Sequence, residues 1–226
     1  MGAKPSFIVK ICGLSTIAHM RTAEALGAAY VGFIVETPES PRSLSRDQAR
    51  LLARAARAPS VMVTTCRDWR TIVELAAIVQ PAVVQLHGSG PGLVTSVRER
   101  LPNMEPWHVV SMQVGVEPDL EAASDEIASA VDAGASKIVL DSATRGRSGG
   151  TGVTMDWEAA AELVARAGDT PVLLAGGLNP GNVAEAIRRV RPAGVDVSSG
   201  VETAPNAKSH LLIRSFFEAV RQVTPG

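Results

Sequence analysis

The sequence predicts an α/β fold in which a single (β/α)8 TIM barrel occupies the whole chain, residues 1–226. Short apolar segments alternate with helical patterns from end to end, and eight such units fit the length of 226 residues. The apolar segments are continuous, which is typical of parallel strands covered on both faces. No linker or low-complexity segment divides the chain, and this favours one domain.

Eight segments carry the strand pattern, in an order that the barrel requires. They are FIVKIC (7–12), YVGFIV (30–35), SVMVTT (60–65), VVQLH (83–87), WHVVSMQV (107–114), KIVLDS (137–142), PVLLAGG (171–177) and GVDVSSG (194–200). Stretches rich in Ala, Leu and Arg, such as SRDQARLLARAARA, separate them with helical spacing. An open doubly wound sheet is the alternative, but it usually has a glycine-rich turn after its first strand, whereas this chain has CGLST.

Charge and composition exclude several classes of partner. The formal net charge is -1 and charged residues make up 20% of the chain, with no long run of either sign. A nucleic-acid-binding or anionic-membrane surface needs clustered Lys and Arg, so we expect neither partner. The N-terminal segment lacks the apolar run of a signal peptide. The two cysteines of the chain, Cys12 and Cys66, are far apart in the sequence. This predicts a reduced, cytoplasmic protein.

Polar residues gather where the predicted strands end. In a parallel barrel the chemistry lies at these carboxyl ends. The residues found there are Cys12, Glu36, His87, Asp141, Gly176, Gly177, Ser198, Ser199 and Gly200. Each has a structural alternative: Cys12 as a buried filler, His87 as a hydrogen-bonded structural residue, and Asp141 as the partner of an arginine.

The last two strand ends predict a phosphate site. LLAGGLNPGNV ends a strand on two glycines and offers Asn179 as an N-cap, with Pro180 at the first helical position. DVSSGVE ends the next strand on small residues whose backbone N–H groups can approach a ligand. The predicted phosphate-binding residues are Gly176, Gly177, Asn179, Ser198, Ser199 and Gly200. Tight turns without a ligand are the alternative.

The segment 142–152 is rich in Gly, Ser and Arg and contains GRSGGTG. It does not match the GxGxxG dinucleotide motif, and the chain has no GxxxxGK[ST] sequence. We interpret it as a loop over the site, with an ordinary surface loop as the alternative.

Lys10 lies on the same strand face as Cys12, and Asp196 on the same face as Ser198, because side chains alternate along a strand. In a closed barrel the eighth strand pairs with the first. We therefore predict a Lys10–Asp196 ion pair below the mouth of the barrel, with a Schiff-base lysine at Lys10 as the alternative. The other histidines have no metal-like neighbours, so no metal site is expected.

The motifs KICGL, SPR, VVQLHG, GGTG, LAGGLNPGNV and VDVSSGVE, in this order from about residue 8 to 208, closely resemble the phosphoribosylanthranilate isomerase family of tryptophan biosynthesis. The resemblance implies a TIM barrel that performs an Amadori rearrangement of a phosphorylated aminosugar without a cofactor. Departures from the family pattern fall in VMVTTCRDW, GFIVETPESPR and HGSGPG, around the aromatic half of the substrate.

The resemblance also implies roles for single residues. Cys12 would be the general base and Asp141 the general acid, while Arg42 would form a bidentate pair with the anthranilate carboxylate. His87, Gly150 and Asp196 would line the substrate. For this chemistry the pKa of Cys12 must fall below that of a free thiol, and the pKa of Asp141 must rise towards neutrality.

Alternatives remain at this point. A paralogue acting on a related aminosugar phosphate, a Schiff-base lyase using Lys10, and a non-catalytic barrel that binds a phosphorylated ligand are each compatible with parts of the pattern. The expected assembly is a monomer or a homodimer.

Overall fold

The computed structural model describes residues 7–144, 147–148 and 155–224. Eight strands form the barrel: β1 (Ile8–Ile11), β2 (Tyr30–Val35), β3 (Ser60–Thr64), β4 (Val83–Leu86), β5 (Glu105–Gln113), β6 (Lys137–Thr144), β7 (Val172–Leu174) and β8 (Gly194–Val197). Eight helices surround it: α1 (Ile17–Ala25), α2 (Arg46–Ala55), α3 (Trp69–Val79), α4 (Gly92–Arg100), α5 (Leu120–Asp132), α6 (Trp157–Arg166), α7 (Val183–Val190) and α8 (His210–Arg221).

The sheet closes through β1, which pairs in parallel with both β2 and β8. Every other neighbouring pair from β2 to β8 is also parallel and consecutive along the chain. The predicted (β/α)8 barrel is therefore confirmed, with all eight strands where the sequence placed them. The barrel mouth is the end formed by the carboxyl ends of these strands.

Hydrophobic residues form two layers. The larger layer packs the outer face of the sheet against the helices, and its members include Met20, Phe33, Leu75 and Phe216. The smaller layer fills the barrel interior and comprises Cys12, Val61, Val63, Val83, Trp107, Val109, Val139, Leu173 and Ala175. Strands buried on both faces explain the continuous apolar runs in the sequence.

Short additional strands lie at the mouth. Residues Ser43–Leu44 pair with the end of β2, and Arg147–Ser148 pair antiparallel with the end of β6. After β8, a 3-10 turn (Ser199–Val201) leads into a hairpin of Glu202–Ala204 and Ala207–Lys208. This hairpin is called the β8 hairpin below.

Two local predictions were wrong. Strand β6 continues past Asp141 and Ser142 to Thr144, because β5 and the Arg147–Ser148 strand pair with this extension. Helix α7 begins at Val183 with Asn182 as its N-cap, so Asn179 lies outside the helix. Pro180 consequently lies in the preceding turn and not at the first helical position.

Two kinds of feature are absent from the described residues. None of the helices there is both long and apolar enough to cross a membrane. Within the same ranges, no group of three or more His, Cys, Asp or Glu side chains could hold a metal ion.

Candidate active site

Lys10 and Asp196 form an ion pair inside the barrel, as predicted, with Nζ 2.5 Å from Oδ2. Both side chains are buried, and facing registers on β1 and β8 bring them together. The Asp196 carboxylate and the neighbouring Cys12 raise the pKa of Lys10 although burial opposes this. Lys10 is therefore a cation, which disfavours its alternative role as a Schiff-base nucleophile.

Cys12 lies directly above Lys10 on the same face of β1, at the mouth of the barrel. Gly32 on β2 makes room for both residues, because a Cβ there would lie 3.1 Å from Lys10 Cε and 3.2 Å from Cys12 Sγ. Burial raises the pKa of the Cys12 thiol, although the charges of Lys10 and Lys208 oppose the shift. The fall in this pKa that the chemistry requires is thus not met in the free protein, since desolvation outweighs the cations.

Asp141 lies at the mouth on β6 with a side chain that is 13% exposed. Burial raises the pKa of its carboxyl to about 7, and the charge of Asp196 acts in the same direction. The expected upward shift is confirmed. Among the described residues, the group at ion-pair distance from Asp141 is the His87 ring, whose Nε2 is 3.8 Å from Oδ2.

His87 follows β4 and is nearly buried. Its Nε2 has no hydrogen-bond partner within the described part of the chain, so a satisfied structural histidine is not what the geometry shows. Burial lowers the pKa of its ring, which is neutral at pH 7. Gln85 Oε1 and Asp196 Oδ1 are likewise buried and unpartnered there. Such atoms are costly unless a ligand or water pairs with them.

Arg42, in the loop after β2, makes a bidentate pair with Glu202 of the β8 hairpin. Its Nε and Nη2 lie 2.7 and 2.6 Å from the two carboxylate oxygens. The guanidinium is thus already engaged on one side before any substrate carboxylate approaches. The three N–H groups outside this pair, two on Nη1 and one on Nη2, form its other edge.

Lys208 is a second cation in contact with Glu202 and is also buried. Its Nζ donates to Glu202 Oε1 at 2.6 Å, to the Ser198 carbonyl oxygen at 2.9 Å and to Ser198 Oγ at 3.3 Å. Arg42, Glu202 and Lys208 are called the charge network below. It connects the loop after β2 with the end of β8.

The glycines predicted to bind phosphate are sites of tight backbone packing. Gly176 and Gly177 have φ of 77° and 66°, a region that favours glycine. A Cβ on Gly200 would lie 1.8 Å from the Leu178 carbonyl oxygen, so the ends of β7 and β8 touch. The loop after β7 is further held by Asn182 Nδ2, which donates to the Gly177 carbonyl oxygen at 3.0 Å.

Asn179 organises the same loop without capping the helix. Its backbone N–H donates to Asn182 Oδ1, and its own Oδ1 accepts from the Gly181 N–H, both at 2.8 Å. Ser198 and Ser199 follow β8 at the mouth beside this loop. The predicted phosphate residues therefore lie together. Gly150 and most of the 142–152 segment lie outside the described residues.

A cavity of about 440 Å3 opens next to the mouth, lined by Arg67, Gly88, Ser89, Gly90, Gly92 and Leu93. Arg67 lies in the loop after β3, Gly88, Ser89 and Gly90 lie in the loop after β4, and Gly92 and Leu93 begin α4. Both loops belong to the segments in which the sequence departs from the family pattern. The two departures therefore meet in space.

Sequence reasoning missed Lys208 and the structural role of Glu202. Both lie on the β8 hairpin, where Glu202 faces Lys208 in the register. Opposite charges on either side of the short turn in ETAPNAK were the available signal. Nothing in the sequence pattern indicated that Arg42, 160 positions away, would join them.

Comparison with known proteins identifies the family of this chain. The model of the family described as N-(5'phosphoribosyl)anthranilate (PRA) isomerase matches residues 9–219. The chain belongs to this family. An N-(5'-phosphoribosyl)anthranilate isomerase of Haloferax volcanii is 39% identical over 218 residues, covering 94% of this chain and 92% of that protein.

Solved structures of PRA isomerases have the same fold. Monomers generated from the dimeric enzyme of Thermotoga maritima match with a TM-score of 0.76 and 31% identity, covering 96% of this chain and 99% of that one. Another PRA isomerase structure, in complex with reduced 1-(o-carboxyphenylamino)-1-deoxyribulose 5-phosphate, matches with a TM-score of 0.76, 30% identity and the same coverage.

Proposed function

We propose that this chain converts N-(5-phosphoribosyl)anthranilate into 1-(2-carboxyphenylamino)-1-deoxyribulose 5-phosphate, with Asp141 as general acid and Cys12 as general base. Membership of the PRA isomerase family supports the reaction. The observation that carries the residue roles is the state of Asp141, a buried carboxyl whose pKa is raised to about 7 at the barrel mouth. A carboxyl in this state can deliver a proton near neutral pH.

The reaction begins at the ring oxygen of the ribose. Asp141 gives its proton to this oxygen while the bond from C1 to oxygen breaks, and the nitrogen lone pair forms an iminium ion. The neutral His87 ring beside Asp141 adds no positive charge that would draw the proton off the carboxyl. Its unpartnered Nε2 is available to the substrate.

Cys12 then takes the proton from C2 of the sugar, giving an enolamine that tautomerises to the ketone. This step needs the thiolate, which burial disfavours in the free protein. The Lys10 and Lys208 charges favour the thiolate, and the cationic iminium formed in the first step adds a third positive charge beside it. The base is thus strengthened at the stage of the reaction that uses it.

The two ends of the substrate carry negative charge and have separate places. The backbone of Gly176, Gly177, Ser198, Ser199 and Gly200, together with the turn at Asn179, would hold the phosphate. Arg42 would receive the anthranilate carboxylate on the guanidinium edge that Glu202 leaves open. Asp196, whose Oδ1 is unpartnered in the described structure, would accept a hydrogen bond from the substrate between these ends.

The direct test is the fluorescence decay of phosphoribosylanthranilate with purified wild type, Cys12→Ser and Asp141→Asn. We expect wild type to consume the substrate, and each variant to lose roughly 10²- to 10⁴-fold in kcat, as removal of a general acid or base does. Arg166→Met, which breaks exposed ion pairs of α6, is the control and should keep wild-type activity.

The pH profile gives a second readout. The active form holds one proton on Asp141 and none on Cys12, whereas below pH about 7 both groups are protonated. We therefore expect kcat/KM of wild type to fall on the acid side of pH about 7. Folded wild-type protein without turnover would refute the proposed reaction, and full activity of either variant would refute that residue's role.

A Schiff-base lyase remains the weaker candidate, because the ion pair with Asp196 keeps Lys10 protonated. Three broader expectations stay proposals: that residues 1–226 form one domain, that the protein acts as a monomer or homodimer, and that it works in the cytoplasm without a cofactor. The dimeric relative from Thermotoga maritima is compatible with the second.

A further inference from the structure

The charge network contains two cations and one anion. Its side chains are 10%, 3% and 0% exposed for Arg42, Glu202 and Lys208. Both Arg42 and Lys208 donate to the same Glu202 oxygen, Oε1, so the single carboxylate is shared between them. Within the described part of the chain, one positive charge is left without a carboxylate partner of its own in a buried place. An excess charge of this kind is costly unless an anion arrives to balance it.

The network touches the places proposed for both ends of the substrate. A Cβ on Gly13 would lie 2.7 Å from Arg42 Cδ and 3.0 Å from Ser198 Oγ, so these two side chains converge beside the turn that follows Cys12. Lys208 fixes the Ser198 carbonyl oxygen and hydroxyl. Arg42 faces the proposed aryl carboxylate, and Ser198 the proposed phosphate.

Asp196, a buried carboxylate of the barrel interior, does not supply the missing charge. Asp196 is paired with Lys10, and this pair is neutral by itself. The backbone N–H of Asn206 donates to Glu202 Oε2 at 3.3 Å, which adds a further donor and no anion. The excess positive charge therefore remains with Arg42 and Lys208.

We propose that Glu202 and Lys208 are positioning residues of the isomerase site. Glu202 orients the open edge of the Arg42 guanidinium towards the aryl carboxylate. Lys208 holds Ser198 in place and balances the negative charge of the phosphate. The proposal rests on the substrate orientation proposed above. Because Glu202 takes Nε and one Nη2 hydrogen, it leaves the Nη1–Nη2 edge for an end-on, two-point contact with a second carboxylate. Arg42 thereby bridges a protein carboxylate and a substrate carboxylate.

Substitutions at the two positioning residues are expected to have opposite effects on the binding of two simple anions. Glu202→Gln removes the negative charge and loosens Arg42, so binding of anthranilate should weaken about tenfold or more, whereas inorganic phosphate should bind as well as before or better. Lys208→Met removes a cation and frees Ser198, so phosphate binding should weaken about tenfold or more. Loss of one charge-assisted hydrogen bond commonly has an effect of this size.

The experiment measures the dissociation constants of anthranilate and inorganic phosphate by calorimetry, and KM and kcat with phosphoribosylanthranilate. For both variants we expect KM to rise more than kcat falls, because the lost interactions bind the unreactive ends of the substrate. Glu202→Asp and Lys208→Arg keep the charges and should recover part of the affinity. They also keep the test valid if the neutral variants fail to fold.

Glu105→Gln is the matched control, since it removes a carboxylate paired with Lys137 at 3.0 Å at the opposite end of the barrel. Variants of Glu202 and Lys208 that lose stability like this control, with wild-type anion affinities and KM, would overturn the proposal. Wild type that binds both anions but lacks turnover would refute the proposed reaction and leave the anion test standing.

Discussion

At the scale of the residue, Asp141 shows how the state proposed for catalysis opposes stability. Its carboxyl has a pKa of about 7 in the folded protein and 3.8 as its ordinary value, so the folded state binds the proton more tightly. The stabilisation from this proton is complete below pH about 3.8 and is lost as the pH rises through about 7. Above that range the protein holds a buried, ionised carboxylate at a net cost.

Asp141→Asn should therefore stabilise the protein at alkaline pH while it lowers kcat by roughly 10²- to 10⁴-fold. The shift in pKa corresponds to about 4 kcal/mol of unfolding free energy above pH 7, falling towards zero near pH 4. Urea unfolding of wild type and variant from pH 4 to 8 measures the difference. Asp125→Asn, at an exposed position of α5, is the control. A difference that does not grow with pH would contradict the assigned state of Asp141.

The sequence identified the residue types at the site but not their electrostatic states. Cys12, Asp141 and Lys10 were recognisable because strand periodicity sets which side chains share a face. The upward shift in the Cys12 pKa was not recognisable from the sequence. It depends on whether the effect of burial exceeds that of two lysine charges, one of them more than 190 positions away in the chain. A balance between large opposing effects is decided by distances that a sequence does not contain.

At the scale of the element, the end of β8 and the loop after β7 form one packed unit. Gly200 in the 3-10 turn lies against the backbone of Leu178 and Asn179. This contact places the small residues of two adjacent strand ends side by side, as a phosphate cradle needs. The side chain that is absent at Gly200 is thus a condition of the site's shape.

Gly200→Ala should be destabilising and should weaken phosphate binding, because its Cβ would lie 1.8 Å from a carbonyl oxygen and one backbone segment must shift. We expect a loss of roughly 1–3 kcal/mol, the usual cost of overpacking. Thermal unfolding and phosphate calorimetry check this. Gly92→Ala, in α4 with no atom within 4 Å of the new Cβ, should be neutral or stabilising. Equal effects of the two changes would rule out the packing argument.

Element boundaries followed local signals where these were unopposed. Helix α2 begins after the capping box of Ser45 and Gln48, as its sequence indicates. Helix α7 begins later than the sequence predicts, because the Oδ1 of Asn179 accepts a hydrogen bond from the Gly181 N–H within the loop. The same side chain can cap a helix or organise a turn, and here Asn179 and Asn182 both donate to the Gly177 carbonyl oxygen within the loop.

At the scale of the whole molecule, one ion pair joins the first and last strands of the barrel. Lys10→Met should cost about 3–5 kcal/mol, since it leaves the buried Asp196 carboxylate without its partner. The double variant Lys10→Met with Asp196→Asn should be less destabilised than the single one, because no lone charge remains. Urea unfolding of the four proteins forms a double-mutant cycle. An additive cycle would contradict the coupling.

The barrel as a whole was predictable, because strand length, continuous apolar runs and helical spacing repeat eight times with nothing to oppose them. The charge network was not. Its three members come from the loop after β2 and from the β8 hairpin, segments without periodicity, and their meeting depends on closure of the barrel. Long-range contacts between loops carry the part of the site that local patterns omit.

Closure of the sheet through β1 joins the first strand to a strand that is made almost at the end of synthesis. The partner of the Lys10 side chain, Asp196, is 186 positions later in the chain and is synthesised correspondingly later. At about 5–20 residues per second, that interval lasts about 10–40 s. During it, β1 can pair with β2 while its other edge and the Lys10 ammonium stay exposed. A charged residue in the middle of an apolar strand is a feature that disfavours pairing of an open sheet edge with other chains.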